Sequence, residues 1–467
     1  AICTSSLVWG DKWLRELFAD AKVTGIINTE ISPEFAAKLG AAYGAFIGSS
    51  KSILMSRDAY DGSRMINRAT ISGLMSAGVN VVDLSELPIP VMRHQLRSGS
   101  YSGGIHTRKS FSDNKSVELI FIDADGKDIP VSKAKSIERL FQGEAFKRTS
   151  HDAIGEVEFS VRVTESYKRN FFNNLDIAAI EKKKYKVVLD YSNGSTSNIF
   201  PSLLGNLDCE VVSLNAYKDQ RKLLSFRNNY GSAKDNLSNI VKSVQADLGF
   251  LIDPSGERLL IFGESGRYVD TSKMMLLITS LFLKQNPGIE KIAVPVTATS
   301  RIEVIAKRFG VKEVIRTKND HSSMMEAVVQ KGAQFVAGTK GGYIFPEFLF
   351  ACDAMFGMAK IMELLAKEEK SFSELLREQA LLSLKKIAVP CDWDKKGTVM
   401  RKVMEFSEGQ KRELVDGVKI YSDNGEWVLL IPDRREAFFN IFVESHNEKR
   451  TDEMLEIYEK RIKEWAE

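Results

Sequence analysis

Short apolar segments alternate with amphipathic segments along most of this chain, and glycine or proline often separates them. In the first such stretch, an apolar segment at Ser52–Ser56 precedes an amphipathic one at Ser63–Ala77, and a second apolar segment follows at Val79–Leu84. The amphipathic segment has the period of a helix, and the apolar ones have the length of buried strands. The pattern therefore predicts βαβ units, in which helices cover parallel strands.

The same alternation returns twice, which indicates similar α/β domains of about 100 residues each. The second copy begins with a predicted strand at Lys186–Tyr191 and ends with one at Asp247–Asp253. The third copy runs from a helix at Ser272–Leu283 to a strand at Gln334–Ala337. Because each parallel sheet needs helices on both faces, we expect three α/β/α sandwich domains.

The C-terminal part of the chain follows a different pattern. A charged helix is predicted at Ser371–Ser383, and half-exposed strands at Lys419–Ser422, Trp427–Ile431 and Phe438–Glu444. The amphipathic segment Thr451–Trp465 predicts a closing helix. We therefore expect a fourth domain of the α+β class.

The composition argues against several classes of function. The chain has 65 Lys and Arg against 62 Asp and Glu, a net charge of +3, so no overall field favours nucleic acid or a membrane surface. Its 4 cysteines are far apart and form no CxxC pair, which favours a reducing compartment. No apolar run reaches the roughly 20 residues that span a bilayer. We expect a cytoplasmic protein that binds neither nucleic acid nor membrane.

Four loops carry side chains suited to binding an anion. They are Gly104–Ser110, Asp253–Arg258, Gly338–Tyr343 and Ile431–Glu436. Open α/β sheets bind ligands at the carboxyl ends of their strands, and arginine and lysine favour phosphate and carboxylate. The candidate anion-binding residues are His106, Arg108, Lys109, Arg258, Lys340, Arg434 and Arg435. The alternative is that they are solvated loop cations.

Further landmarks extend this pattern over most of the chain. They are Ile31–Phe35, Ser56–Asp58, Ser76–Leu84, Asp190–Gly194, Ala246–Gly249 and Ile344–Glu347. In this order they resemble the α-D-phosphohexomutase superfamily, which contains the phosphomannomutases and phosphoglucomutases. The resemblance implies an α/β fold with a four-domain phosphohexomutase architecture, in which three similar α/β/α sandwich domains precede a C-terminal α+β domain. We place the domains at residues 29–165, 166–262, 263–375 and 376–467, after an N-terminal segment at residues 1–28.

The resemblance implies that the first loop carries the phosphoryl group that is exchanged with the sugar. Active family members have a serine in a Thr-Ala-Ser-His-Asn-Pro loop. The aligned stretch begins at Thr107, so Lys109 stands at the position of that serine and Ser110 lies one residue later. Misplacement of a reacting group by about 1 Å can cost on the order of a hundredfold in rate. Ser110 is therefore the candidate nucleophile, but the shift argues against ordinary turnover.

The second loop corresponds to the metal loop of the family, where three aspartates at alternate positions bind Mg²⁺. The candidate ligands here are Asp253, Ser255 and Glu257, followed by Arg258. Mg²⁺ prefers hard oxygen ligands in near-octahedral geometry. One of the three positions is now a hydroxyl, and another carries a longer carboxylate. We therefore expect Mg²⁺ to bind weakly or not at all.

The third and fourth loops also differ from the family. The family's sugar loop supplies a glutamate and a serine, and Gly338–Tyr343 contains neither. Its phosphate loop lets backbone N–H groups approach a phosphate, whereas Asp433 would repel one here. If the loops meet in one cleft, as the resemblance implies, their basic residues would hold a hexose phosphate or a nucleotide sugar.

The N-terminal segment has the texture of the last coils of a β-helix. Ile2–Gly10 and Ala21–Gly25 combine short apolar runs with polar turns. This resembles the junction in fused nucleotidyltransferases of the mannose-1-phosphate guanylyltransferase type, where a mutase-like module follows the β-helix. We therefore expect a fused or associated sugar-1-phosphate nucleotidyltransferase, although a boundary set arbitrarily at Ala1 explains the abrupt start equally well.

Three functions remain open from the sequence. The altered loops favour a pseudoenzyme, a module of nucleotide-sugar metabolism that binds or senses a sugar phosphate without turnover. The second is an active phosphomannomutase or phosphoglucomutase, an isomerase that uses Ser110 and a sparse Mg²⁺ site. The third is a structural or oligomerisation module.

Overall fold

The strands define four sheets in a computed structural model that describes residues 16–111, 113–160, 163–434 and 436–467. In chain order they are β1 (Lys22–Ile26), β2 (Ser52–Arg57), β3 (Asn80–Glu86), β4 (Gly104–Lys109), β5 (Ser116–Ile122), β6 (Val157–Phe159), β7 (Lys186–Asp190), β8 (Glu210–Leu214), β9 (Leu248–Ile252), β10 (Leu259–Gly263), β11 (Lys291–Pro295), β12 (Glu313–Thr317), β13 (Val336–Ala337), β14 (Tyr343–Ile344), β15 (Ser383–Pro390), β16 (Arg412–Glu413), β17 (Val418–Tyr421), β18 (Trp427–Pro432) and β19 (Phe438–Ser445).

The helices are distributed along the whole described chain. In chain order they are α1 (Pro33–Ile47), α2 (Asp61–Ser76), α3 (Ile89–Ser98), α4 (Val131–Gln142), α5 (Val163–Asn173), α6 (Ile177–Lys183), α7 (Phe200–Leu204), α8 (Gln220–Ser225), α9 (Tyr230–Ser243), α10 (Thr271–Gln285), α11 (Arg301–Arg308), α12 (His321–Val329), α13 (Ala354–Ala366), α14 (Phe372–Arg377), α15 (Lys396–Phe406) and α16 (Glu448–Ala466). Across the described residues, none of them is long and apolar enough to cross a membrane.

The chain divides into two compact units. The first consists of Ala1–Val269 and Gly342–Glu369, and the second of Asp270–Gly341 and Lys370–Glu467. The first unit contains the sheets built from β1 to β10, and the second contains β11 to β13 and β15 to β19.

The first sheet of the first unit is mixed, with the strand order β1-β5-β4-β2-β3-β6. Strand β2 runs parallel to β3 and β4, as the βαβ pattern predicts. Strand β5 runs antiparallel to both β4 and β1, because only a short turn joins β4 to β5. Lys22–Ile26, which the sequence places in the segment resembling a β-helix, therefore form an edge strand of this sheet. The first part of that segment, residues 1–15, lies outside the described residues.

Helices α1 and α2 pack backbone to backbone over this sheet. A Cβ atom added at Gly40 would lie 2.2 Å from the carbonyl oxygen of Thr70, and one added at Gly73 would lie 2.0 Å from that of Ala37. Glycine is therefore needed at both positions for close approach. This packing holds α2 in place between β2 and β3 in the chain. Since β2 pairs with both β3 and β4, it also supports the strand that leads to Ser110.

The second sheet of the first unit has the order β10-β9-β7-β8. Strand β7 runs parallel to β8 and β9, and β10 returns antiparallel to β9. The connection between β9 and β10 is the loop Asp253–Arg258. The sheet therefore presents this loop at the carboxyl end of β9, where the sequence predicts a site.

The five-stranded sheet of the second unit has the order β15-β19-β18-β17-β16 and is antiparallel. The prediction of half-exposed strands is wrong, since Trp427 to Leu430 in β18 are each exposed by 1% or less. One face packs against α15 and α16, and on the other Trp427 and Leu429 pack against Val296. The predicted charged helix is also too long. Helix α14 ends at Arg377, and Ser383–Pro390 pair with Phe438–Ser445 as strand β15.

Lys419 is buried within this sheet and gives a test of pH dependence. Its Nζ donates to the carbonyl oxygen of Val296 at 2.9 Å and lies 3.8 Å from the centre of the Trp427 ring. Burial, followed by the charge of Arg316, lowers the pKa of Lys419 to about 7. The unfolded chain keeps this proton to about pH 10. Between these values the unfolded state binds more protons, so the free energy of unfolding rises with pH from about 7, by up to about 1.4 kcal/mol per unit.

We therefore expect Lys419→Met to flatten the rise of unfolding free energy with pH above neutrality. Urea unfolding followed by circular dichroism across this range measures the slope. The exposed Lys411, changed to Met, is the matched control and should keep the slope of the unmodified protein. Equal slopes in the Lys419→Met variant and the unmodified protein would contradict the expectation.

Candidate active site

Ser110 lies at the end of β4, in a hairpin with β5. The two strands are in register so that Arg108 faces Glu118 and Lys109 faces Val117. The backbone N–H of Ser110 donates to the carbonyl oxygen of Ser116 at 2.9 Å and closes the turn. The Ser110 side chain is buried, and its Oγ donates to Glu118 Oε1 at 3.0 Å. The candidate nucleophile therefore has a carboxylate as its hydrogen-bond acceptor.

Arg108 joins this hairpin to the loop Asp253–Arg258. Its Nε donates to Glu118 Oε2 at 3.0 Å, and its Nη1 donates to Glu257 Oε2 at 2.7 Å. The Arg108 side chain is 8% exposed, and those of Glu118 and Glu257 are 5% and 11% exposed. Charge-assisted hydrogen bonds of this kind are roughly twice as strong as neutral ones. A buried guanidinium thus bridges two of the four predicted loops.

The loop Asp253–Arg258 is a tight turn organised by its first carboxylate. Asp253 Oδ1 accepts hydrogen bonds from the backbone N–H groups of Glu257 and Arg258, at 2.9 and 3.1 Å. The hydroxyl of Ser255 donates to Asp253 Oδ2 at 2.8 Å and to Glu257 Oε2 at 3.2 Å. Gly256 has φ of 77°, which favours glycine. These bonds hold Asp253, Ser255 and Glu257 together, as the resemblance implies.

Lys109 and His106 are also buried, but their side chains form hydrogen bonds with groups other than Glu118 and Glu257. Lys109 Nζ donates to the carbonyl oxygen of Ser110 at 2.9 Å, and its backbone N–H donates to Asp58 Oδ2 at 2.8 Å. His106 Nδ1 lies 2.7 Å from Ser56 Oγ. Burial, and then the charge of Arg108, lowers the pKa of His106 to about 3, so its imidazole is neutral near pH 7.

The remaining basic candidates lie elsewhere. Arg258 is in the first unit and is exposed. In the second unit, Lys340 is exposed and Arg434 Nη2 forms an ion pair with Asp416 Oδ1 at 3.2 Å. Arg435 lies outside the described residues. The meeting of these residues with the first loop in one cleft stays a prediction.

His106, Arg108 and Lys109 are buried in this structure, and their part in binding a sugar phosphate stays a prediction. They belong to strand β4, all of whose residues are buried, and not to an exposed loop. The guanidinium of Arg108 is matched by carboxylates on two sides. This part of the site is therefore a buried cluster of ion pairs.

The charges of this cluster stabilise one another. Burial by itself lowers the pKa of Arg108, but Glu118 and Glu257 outweigh it and hold that pKa above its ordinary value. Burial alone raises the pKa of Glu118, but Arg108, Lys22 and the hydrogen bond from Ser110 together outweigh it and hold that pKa below its ordinary value. Burial, and then the charge of Glu257, raise the pKa of Asp253. Arg108 and Glu118 are therefore both charged near neutral pH.

Sequence reasoning missed two acidic residues of this site. Glu118 is the acceptor for Ser110, and Asp58 holds the backbone of Lys109. Glu118 stands in the otherwise apolar run from Val117 to Ile122, and a carboxylate inside a buried strand needs a charged partner. That isolated charge was the signal that could have found it.

The arrangement of the second loop does not fit Mg²⁺. Both carboxylate oxygens of Asp253 accept hydrogen bonds within the loop, and Glu257 Oε2 accepts from a guanidinium. Mg²⁺ requires near-octahedral coordination by oxygen atoms, and a cationic N–H donor occupies one of those directions here. Across the described ranges, no group of three or more His, Cys, Asp and Glu side chains is placed to hold a metal ion.

Comparison with known families agrees with this fold and with the order of its loops. Residues 15–148, 165–266 and 270–381 match the family models for the first, second and third alpha/beta/alpha domains of phosphoglucomutase/phosphomannomutase. A phosphoglucomutase/phosphomannomutase from Thermococcus kodakarensis is 33% identical over 461 residues, 97% of this chain and 99% of the relative. The chain therefore belongs to the phosphoglucomutase/phosphomannomutase family.

Other relatives act on amino sugars by name. A probable phosphoglucosamine mutase from Methanosarcina acetivorans is 29% identical over 96% of this chain and 99% of the relative. A phosphoglucosamine/phosphogalactosamine mutase from Sulfurisphaera tokodaii is 28% identical over 95% of this chain and 98% of the relative. The match covers 98% or more of each of these three relatives. None of the three therefore has room for an additional nucleotidyltransferase domain.

Solved structures support the fold. A phosphoglucomutase/phosphomannomutase family protein from Burkholderia thailandensis has a TM-score of 0.81 at 18% identity, covering 96% of this chain and 97% of that one. An N-acetylphosphoglucosamine mutase from Aspergillus fumigatus, in complex with GlcNAc-6P and magnesium, has a TM-score of 0.55 at 11% identity, covering 89% of this chain and 78% of that one. At these identities the likeness concerns the fold alone. The predicted three α/β/α domains with a C-terminal sheet-rich domain are confirmed.

The comparisons also correct the function expected from the sequence. The preferred interpretation, a module without turnover, is wrong, because relatives named as mutases match this chain over nearly its whole length. The alternative of an active mutase agrees better with them. The physical reason for the error is that loop residues were judged by their positions in the sequence, while the contacts of Ser110 and Arg108 depend on Glu118, which lies outside those loops.

Proposed function

We propose that this protein is a phosphohexomutase, an isomerase that interconverts the 1- and 6-phosphates of a hexose. The observation that carries the proposal is the hydrogen bond between Ser110 Oγ and Glu118 in a chain that belongs to this family. Ser110 has a hydroxyl, and a carboxylate lies in position to accept its proton. Nucleophilic serines commonly depend on such an adjacent acceptor.

In this proposal Ser110 carries the phosphoryl group. The group leaves Ser110 Oγ for the free hydroxyl of a hexose monophosphate, which gives a bisphosphate. The other phosphoryl group of the bisphosphate then returns to Ser110 Oγ, and the isomeric monophosphate is released. Phosphate is thereby conserved, and no external donor is consumed in a cycle.

The phosphorylated and free forms of Ser110 must occupy different positions. A phosphoserine carries a charge of about −1.5 to −2 and acceptor oxygens in place of the hydroxyl donor. Glu118 accepts a hydrogen bond from the hydroxyl but would repel a phosphate. Phosphorylation therefore drives the side chain away from Glu118, out of the buried position that it holds here. A sugar can then reach the phosphoryl group.

Glucose and mannose phosphates are the substrates we propose first, because the relative with 33% identity is a phosphoglucomutase/phosphomannomutase. Glucosamine phosphate is the second choice, since relatives at 28% and 29% identity are named for it. Coupled assays that detect the 6-phosphates formed from each 1-phosphate, with the corresponding 1,6-bisphosphate as activator, test the proposal. Turnover on at least one sugar is expected. Absence of turnover on all three would overturn the proposal.

A further inference from the structure

We infer that the guanidinium of Arg108 takes the place of the divalent cation at the second loop, so that this protein does not need Mg²⁺ there. The inference rests on the proposed function for its consequence in turnover, but the contacts that carry it do not. Arg108 contacts the loop at Glu257 Oε2, 2.7 Å away, and is nearly buried. A second cation would have to displace it.

The balance of charge supports the exchange. The family pattern of three aspartates and one divalent ion sums to a single negative charge. In this chain the loop retains two carboxylates, on Asp253 and Glu257, and one guanidinium contacts Glu257, so these three groups have the same sum. The loss of a carboxylate at Ser255 and the gain of the cation at Arg108 thus compensate for each other. Either change alone would alter the net charge of the loop.

The planar shape of the guanidinium suits this role. Its Nη1 reaches the second loop while its Nε binds Glu118, whose other carboxylate oxygen accepts from Ser110. Arginine stays protonated at any physiological pH and donates in fixed directions. The positive charge is therefore held one carboxylate away from the candidate nucleophile. In this structure Arg108 acts as a positioning residue, since it holds Glu118 and Glu257 in place.

Two alternatives within the same loops fit less well. Arg258 follows the loop directly, but its side chain is exposed. Lys109 is buried, but its ammonium donates to the carbonyl oxygens of Ser110 and Asp113. Arg108 is the cation that the described contacts place on a carboxylate of the loop, that of Glu257.

Calorimetric titration with Mg²⁺ tests the inference without any substrate. The unmodified protein should take up no stoichiometric Mg²⁺, and its thermal unfolding should be the same in Mg²⁺ and in EDTA. Arg108→Gln removes the charge but keeps much of the side-chain volume, so the carboxylates of Glu118 and Glu257 lose the cation that contacts them. We expect this variant to gain Mg²⁺ uptake and to unfold at a higher temperature with Mg²⁺ than with EDTA.

Two controls separate charge from other effects. Arg258→Gln removes an exposed arginine beside the same loop, and Arg108→Lys keeps a positive charge inside it. Neither should gain Mg²⁺ uptake. Stoichiometric uptake by the unmodified protein would overturn the inference, and so would a folded Arg108→Gln variant that takes up none. If Arg108→Gln does not fold, the comparison of the unmodified protein in Mg²⁺ and EDTA decides alone.

Turnover gives an independent measurement. We expect the rate of the unmodified protein to change by less than about twofold when EDTA replaces Mg²⁺, because the guanidinium is already in place. Loss of turnover in EDTA that Mg²⁺ restores would overturn the inference while leaving the mutase function intact. Absence of turnover under both conditions would overturn the proposed function, and the calorimetry would still test the role of Arg108.

Discussion

Replacing Ser110 with alanine should abolish mutase turnover, with a loss on the order of a thousandfold or more in kcat. The hydroxyl is the atom to which the phosphoryl group is attached in the proposed reaction, and alanine offers no substitute. The fold should survive, because Glu118, which loses the hydrogen bond from Ser110, still binds Arg108 through its carboxylate. The coupled assay measures the rate, and circular dichroism checks the fold.

The matched control for Ser110→Ala is Thr107→Val. Thr107 is on the same strand and is equally buried, but its hydroxyl donates to Asn67 Oδ1 at 3.4 Å and not to Glu118. It should keep most of the turnover. Mass spectrometry after incubation with a hexose 1,6-bisphosphate should place phosphate on Ser110. Full turnover in Ser110→Ala, or phosphate on another residue of the hairpin, would disprove the role of Ser110.

Replacing Glu118 with alanine should lower the free energy of unfolding by about 3–5 kcal/mol, because it leaves a buried charge without one of its partners. Arg108 would keep Glu257, but its Nε would lose its acceptor. Turnover should also fall, by about 10²–10⁴-fold if Glu118 accepts the proton of Ser110. Urea unfolding measures the first effect and the coupled assay the second.

Glu118→Gln separates these two effects. The amide can still accept from Arg108 or Ser110 through its oxygen, so stability should fall less than in Glu118→Ala, but the negative charge is lost and turnover should stay low. Glu158→Gln, in the exposed part of strand β6, is the matched control and should change neither quantity. A Glu118→Gln variant with full turnover would show that this carboxylate only supports the structure.

Local pattern predicted the parallel part of the fold. The segments 52–56, 63–77 and 79–84 correspond closely to β2, α2 and β3, because their apolar periods reflect burial in one small domain. Strand β15 was missed for the opposite reason. Its residues 383–390 contain two lysines and follow the predicted charged helix, which ends at Ser383, and they become a strand by pairing with Phe438–Ser445. Pairing over such a separation leaves no signal in the segment itself.

The candidate site was predicted in part. The loop residues Asp253, Ser255 and Glu257 do lie together, and Ser110 directly follows strand β4, before the turn of the hairpin. Their partners could not be read from the loops, since Glu118 comes from β5 and reaches Arg108 through strand register. Residues that look like free cations in a sequence become buried ion pairs when a neighbouring strand supplies carboxylates. Comparison of motifs alone therefore misjudged the charge around Arg108 and led to the interpretation without turnover.

The contacts of Arg108 also set an order on events during synthesis of the chain. Ser110, Arg108 and Glu118 belong to one hairpin, Gly104–Ile122, whose strands pair across a short turn. Because domains generally fold as units during synthesis, the N-terminal one first, the sheet that contains this hairpin can form before the later domains are made. Glu257 emerges 135 residues later, from 122 to 257. Until then Arg108 has only one of its two carboxylates, so the ion cluster is completed only after strands β7 to β9 of the second sheet have been made.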